Sequence, residues 1–116
     1  MIFICYQKCT TCKKAQKWLD DNGFTYELRD IKENNPTRDE IKKWQGINGM
    51  PLKKFFNTSG LLYRSLGLKD KLGSMSEDKQ LDLLASDGML VKRPILVDGN
   101  IVLVGFRESD WEAHLK

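Results

Sequence analysis

The sequence predicts an α/β fold: a four-stranded mixed sheet with a helical block inserted at about residues 36–88. Three observations carry this expectation. The first 30 residues alternate strand, helix and strand. The central stretch follows helical periodicity. Residues 94–116 then return to two apolar runs around a turn, followed by a helix. At 116 residues the chain has the usual size of one domain, so residues 1–116 are read as a single unit around one core.

Residues 2–6, Ile-Phe-Ile-Cys-Tyr, read as a short buried strand of β-branched and aromatic residues. A helix should begin just after Cys9. Ala15, Trp18 and Leu19 fall on one face of it, and Lys13, Lys14 and Lys17 fall elsewhere. Asn22-Gly23 supplies a stop, because glycine tolerates the left-handed conformation. Phe24, Tyr26 and Leu28 alternate with polar residues and predict a second strand. Strand, helix and strand in so short a span form a βαβ unit, so the two strands should be parallel.

Asn34-Asn35-Pro36 breaks this pattern. Thr37 precedes Glu40 by three residues, the spacing of a capping box, and a helix should follow with Ile41 and Trp44 inward and Gly46 near its end. Residues 51–56 predict a short helix with Leu52, Phe55 and Phe56 in the core, and residues 60–66 predict another. Ser74 or Ser76 can cap a longer helix that buries Leu81 and Leu84 and stops at Gly88.

Pro94–Val97 and Ile101–Val104 flank Asp98-Gly99-Asn100, a strong hairpin signal. Ser109 and Glu112 repeat the capping-box spacing and should open a last helix with Trp111 and Leu115 inward. No repeat, low-complexity tract or linker interrupts the chain.

Composition narrows the function. Hydrophobic residues make up 41% and charged residues 30%, an ordinary globular balance. No apolar run approaches the roughly 18 residues of a membrane span, and the N-terminus lacks the basic region and longer apolar stretch of a signal peptide. A cytoplasmic protein with reduced thiols is expected. Residues 1–58 carry 11 Lys/Arg against 7 Asp/Glu, and residues 59–116 carry 8 against 9. That excess is too small to suggest direct nucleic-acid binding, and no basic stripe or reading motif accompanies it.

All three cysteines lie in Cys5-Tyr-Gln-Lys-Cys9-Thr10-Thr11-Cys12. Structural zinc normally takes four ligands, and beyond these thiols the chain offers only His114, at its far end on a helix read as surface. A permanent disulfide is unexpected in a reducing compartment. A redox dithiol in C-x-x-C at a strand–helix junction fits best. Cys9 at the N-cap would lie beside the unpaired N–H groups of the first helical turn, which favour a thiolate. Lys8, Lys13 and Lys14 are near enough in sequence to assist. Cys12, one turn along, would attack a mixed disulfide on Cys9 and release the product. Cys5, inside the strand, reads as a small buried apolar residue.

The order β-α-β, helical block, β-β-α is the thioredoxin-like arrangement with helices inserted. Proteins of that fold place a cis-proline beside the active cysteine, which makes the Arg93–Pro94 bond a candidate for cis. Arg93 and Arg107 flank the hairpin and should meet at one end of the sheet. There they could pair with an oxyanion, although two solvated arginines are the simpler reading of spacing alone.

The segments CTTCKKAQKWL, NPTRDEI, LKKFFNTSG, LGL, VKRPILVDG and VGFRESDW, spread over essentially the whole chain, resemble the ArsC/Spx family of thioredoxin-fold proteins. That family includes glutathione- or glutaredoxin-linked arsenate reductases, Spx transcriptional regulators and YffB/YusI-like members. The resemblance implies that Cys9 is the nucleophile, that Arg93 and Arg107 match arginines used on the arsenic oxyanion, and that Asn57 stands where those reductases carry a third arginine. Those reductases also lack a cysteine matching Cys12. A thiol–disulfide oxidoreductase is therefore the expected function, with Cys9 and Cys12 catalytic and Thr10, Thr11, Arg93, Pro94 and Arg107 holding the substrate. No bound cofactor or metal is expected. Glutathione is the expected co-substrate, and glutathione, glutaredoxin or another thiol the expected partner. The alternative is an Spx-like redox regulator that binds the RNA polymerase alpha C-terminal domain, although GMPLKKFFNTSG is nearer the YffB/YusI type.

Overall fold

Side chains along the first strand alternate between two covered faces, and that alternation sets the layers. A computed structural model describes all 116 residues, Met1 to Lys116. Strand β1, Ile2–Cys5, sends Phe3 and Cys5 to one face of the sheet and Ile4 to the other. Helix α1, Thr10–Asp21, and strand β2, Glu27–Asp30, complete the predicted βαβ unit, with β1 and β2 parallel. The helical block holds α2, Arg38–Asn48; α3, Leu61–Ser65; α4, Leu68–Lys71; and α5, Glu77–Ser86. Two 3₁₀ turns, Leu52–Phe55 and Leu72–Ser74, lie between these helices, and a third, Gly88–Leu90, follows α5. Strands β3, Ile95–Asp98, and β4, Ile101–Val104, form the hairpin, and α6, Glu108–Leu115, closes the chain.

The sheet order is β2-β1-β3-β4, with β3 antiparallel to both neighbours. Register aligns Phe3, Leu96 and Leu103 across the sheet. These three pack with Ala15, Trp18 and Leu19 of α1 and Trp111 of α6 into one cluster that also contains Cys5 and Cys12. Ile4, Ile95 and Val102 face the opposite side and pack with Ile41, Trp44, Phe55, Leu81 and Leu84 of the helical block. The sheet is thus covered on both faces. No helix is long and apolar enough to cross a membrane.

Local signals explain most boundaries. Helix α1 ends at Asn22 before Gly23, whose φ is 75°. The capping box at Thr37 and Glu40 is complete, with both reciprocal bonds formed. Glu40 also accepts two bonds from the Arg29 guanidinium, at 2.7 and 2.9 Å, tying β2 to the start of α2. Ser76, not Ser74, caps α5 by accepting from the Lys79 N–H. Gly99 turns the hairpin with a φ of 57°.

Helix α2 has Gly46 near its end, as expected, and stops at Gly49, which takes the left-handed conformation. Other expectations need correction. Strand β2 starts at Glu27, and Leu28 is 51% exposed because β2 is an edge strand with one open side. Phe24 precedes that strand and stacks on Trp18, with centroids 5.6 Å apart. Helix α6 opens at Glu108 with Arg107 as an N-cap that makes no side-chain bond, so Ser109 lies inside the helix and forms no capping box. The short helix α4 was not expected, because Gly67 and Gly73 break the periodicity on either side of Leu68 and Leu72.

Candidate functional site

The turn after β1 builds the site. The Cys9 N–H donates to the Tyr6 carbonyl at 3.0 Å, which folds the chain back and starts α1 with Cys9 as N-cap. No side chain caps this helix. The N–H groups of Thr10, Thr11 and Cys12 are therefore the first-turn donors that lack intrahelical acceptors, and the dipole of α1 adds positive potential at the same point.

Cys9 is partly exposed, whereas Cys12 is only 2% exposed and points into the α1/α6 cluster. The Tyr6 N–H donates to the Cys12 sulfur at 3.4 Å. Cys12 hydrogen-bonds to Cys5 on its inner side, and that bond, with burial second, pushes the Cys12 thiol well up. The same bond lowers the Cys5 thiol against the opposing effects of burial and of Asp30. Cys9 hydrogen-bonds to Cys12 from the outer side and acts on Cys5 only through charge. Cys12 therefore lies between Cys9 and Cys5, and it and Cys5 are both buried whereas Cys9 is partly exposed. All three are free thiols.

Cys9 opens on a cleft of about 1230 Å³ that Thr11, Asn57, Lys54, Lys92, Arg93 and Arg107 also line. The hairpin ends meet there as the spacing predicts. The Gly105 N–H donates to the Pro94 carbonyl at 2.8 Å, and the Trp111 indole N–H donates to the Gly105 carbonyl at 3.1 Å. These two bonds hold Arg93 and Arg107 at one mouth. The Arg93–Pro94 bond is cis and Pro94 is buried. Arg93 stacks on Tyr6, its guanidinium carbon 5.1 Å from the ring centroid, and its Nε and Nη1 are buried without a partner. Buried donors of this strength almost always have an acceptor, and these two have none within the chain.

Thr10 is exposed and does not line the cleft; only its backbone N–H belongs to the first turn. Lys8, Lys13 and Lys14 are exposed and stand outside it, so its cations come instead from Lys54, Lys92, Arg93 and Arg107. Sequence reasoning did not assign Lys54, Lys92 or the Tyr6 platform. The signal for the lysines lay in LKKFF and VKRP, where a basic residue next to a motif looks like an ordinary surface charge. His114 lies on exposed helix surface at the rim of the cleft, its Nδ1 2.8 Å from the Asp110 carbonyl. No group of three or more His, Cys, Asp or Glu side chains is arranged to hold a metal ion.

A model of the ArsC family matches residues 5–114. The chain belongs to the ArsC family. Among its relatives is the uncharacterized protein YusI of Bacillus subtilis, 53% identical over 97% of this chain and 95% of YusI. A global transcriptional regulator Spx, from Streptococcus mutans, is 24% identical over 92% of this chain and 77% of its own. Among solved structures, an "ArsC family related protein" of Bacteroides fragilis superposes with a TM-score of 0.94 at 49% identity, covering 97% of this chain and 94% of that one. A "possible arsenate reductase" of Streptococcus mutans gives a TM-score of 0.87 at 48% identity, with 96% of each chain covered. The ArsC family members share the thioredoxin-like fold, so the predicted architecture and the ArsC/Spx resemblance are both correct.

Proposed function

We propose that this ArsC family member is a thiol–disulfide oxidoreductase linked to glutathione or glutaredoxin. The observation that carries the reading is the joint position of Cys9: at an uncapped helix N-terminus, and on the same cleft as the partnerless Arg93 guanidinium. Helix termini and nearby cations favour the thiolate that attacks. The thiolate of Cys9 attacks one sulfur of a disulfide, expels the other half as a thiolate and becomes a mixed disulfide. Cys12 then attacks the Cys9 sulfur, releases the bound half as a thiol and closes a Cys9–Cys12 disulfide. Two external thiols, from glutathione or a glutaredoxin, restore the dithiol. The first-turn N–H groups at Thr10–Cys12, with Arg93 and Arg107, hold the carboxylates of glutathione or an oxyanion. Pro94 shapes the backbone next to that seat.

The test is reduction of glutathionylated protein and of model disulfides by wild type, Cys9→Ser and Cys12→Ser. Cys9→Ser should be inactive, and Cys12→Ser should accumulate one glutathione on Cys9 that denaturation does not remove. Equal turnover in wild type and Cys9→Ser with every thiol donor would refute the assignment.

The match to an Spx regulator supports a second reading, in which the dithiol is a switch that controls binding to the RNA polymerase alpha C-terminal domain. Pull-down with that domain in both redox states separates the two readings. Binding in one state alone would favour the switch, and no binding in either would remove it.

A further inference from the structure

Cys5 is the one thiol that the mechanism above leaves idle, and its placement is specific. It ends β1 on the face that α1 covers, in one cluster with Cys12. The turn that makes Cys9 the N-cap also sets the Cys12 sulfur on the N–H of Tyr6, the residue directly after Cys5. Cys12 thus lies between an outer thiol that reaches solvent and an inner thiol that does not. Cys5 and Cys12 are 4% and 2% exposed, whereas Cys9 is partly exposed.

We propose that Cys5 is a third redox cysteine, which takes over the disulfide from Cys9–Cys12 and stores it in the core as Cys5–Cys12. The inference rests on the oxidoreductase reading, because the outer disulfide must form first. With a glutathione disulfide as oxidant, Cys9 forms a mixed disulfide and releases one glutathione. Cys12 attacks the Cys9 sulfur, releases the second glutathione and forms Cys9–Cys12. The Cys5 sulfur then attacks the Cys12 sulfur. The Cys5–Cys12 bond forms, the Cys12–Cys9 bond breaks, and Cys9 leaves as a thiolate that accounts for the proton Cys5 gives up. The last step is an exchange with no net oxidation.

The environment of Cys5 suits an attacking group. Its sulfur lies in the same buried cluster as the Cys12 sulfur that it must attack, and the thiolate is the nucleophile in exchange. The consequence is that oxidation regenerates Cys9. A Cys9–Cys12 disulfide is open to a thiol arriving from the cleft. A Cys5–Cys12 disulfide is sealed, and the reverse attack by Cys9 is its route out.

Trypsin reads the difference directly, because Lys8 separates Cys5 from Cys9 and Lys13 follows Cys12. A Cys9–Cys12 disulfide stays within the peptide 9–13, whereas Cys5–Cys12 joins peptide 1–8 to peptide 9–13. The experiment treats the reduced full chain with oxidised glutathione, quenches with acid, alkylates under denaturing conditions and maps peptides without reduction. The expected result is the joined pair with Cys9 alkylated, lost in both Cys5→Ala and Cys9→Ser. A disulfide confined to 9–13 with Cys5 alkylated would overturn the transfer and leave the oxidoreductase reading intact. So would glutathione resting on Cys9 with the other two thiols free, which would in addition remove Cys12 as resolver. Joined peptides that persist in Cys9→Ser would overturn the route through Cys9. No modification of any cysteine would overturn the transfer together with the reading beneath it.

Discussion

Arg93 lies across the face of Tyr6, with its guanidinium carbon 5.1 Å from the ring centroid, and two of its nitrogens are buried without an acceptor. The stack holds the planar group in one orientation, and a cation over an aromatic ring contributes about 0.5–2 kcal/mol. On the proposed role of Arg93, an anion in the cleft relieves the cost of leaving these donors unpaired. Charge-assisted hydrogen bonds contribute about 1.5–3 kcal/mol. Arg93→Ala should therefore lower kcat/KM for oxidised glutathione by roughly 10- to 100-fold, since 1.4 kcal/mol is a factor of ten. Arg93→Lys should recover part of this, because it restores the charge but not the planar fork or the stack. Steady-state kinetics on the three proteins check the order; equal kcat/KM across them would exclude Arg93 from substrate binding.

Asn57 offers the opposite experiment. It lines the same cleft as Cys9, Arg93 and Arg107, where an amide provides no charge. Asn57→Arg adds a third guanidinium to the site. The affinity for arsenate or phosphate should rise by roughly tenfold or more, consistent with one added charge-assisted pair. Calorimetric titration with arsenate measures it, and an unchanged affinity would mean that the oxyanion seat lies away from residue 57.

These two residues show how far the sequence reaches. Arg93 and Arg107 could be brought together on paper because a hairpin fixes the distance between its ends. Asn57 was reached only through a resemblance. Lys54 and Lys92 escaped notice because nothing local separates a lysine that lines a cleft from one in open solvent. The buried position of Cys12 has a similar origin. Helix spacing puts it one turn past Cys9, but its depth depends on how α1 lies on the sheet, and Phe3, Leu96 and Trp111 decide that from distant parts of the chain. Capping boxes were legible where the next element agreed: Thr37 has Arg29 to hold Glu40, whereas Ser109 lies two residues past the N-cap of α6.

The Arg29–Glu40 pair makes stability depend on acid. The Arg29 guanidinium holds the Glu40 carboxyl down from 4.5 to about 2, against a smaller opposing effect of burial, and the Thr37 N–H helps. A carboxylate depressed in the folded state binds its proton more readily in the unfolded chain. Its contribution is therefore complete above about pH 4.5 and is lost as pH falls towards 2. The Glu40 side chain is 35% exposed, so solvent screening reduces the contribution to about 1–2 kcal/mol. Glu40→Gln should be less stable than wild type by about that amount at neutral pH, and the gap should close on acidification. Urea unfolding across that range tests it; a gap independent of pH would assign the loss to the cap alone.

One substitution at two glycines should give opposite signs. Gly46 lies inside α2 with ordinary helical backbone, and a methyl group there would meet nothing within 4 Å. Gly46→Ala should stabilise the protein by about 0.5–1 kcal/mol through helix propensity. Gly88 sits in the turn after α5 with its backbone pressed against the carbonyl of Ile31, and an added Cβ would also come within 3.1 Å of Asn35 Cβ. Neither neighbour yields easily. Ile31 is fully buried, and the Asn35 amide is bonded to the Ala85 carbonyl at 2.8 Å. Gly88→Ala should cost about 1–3 kcal/mol or more, as overpacking does. It should do so by prising the segment after β2 away from α5. Urea midpoints should move up for Gly46→Ala and down for Gly88→Ala, with unchanged slopes. A neutral Gly88→Ala would show that the contact between these segments can relax, and that Gly88 is not what fixes their spacing.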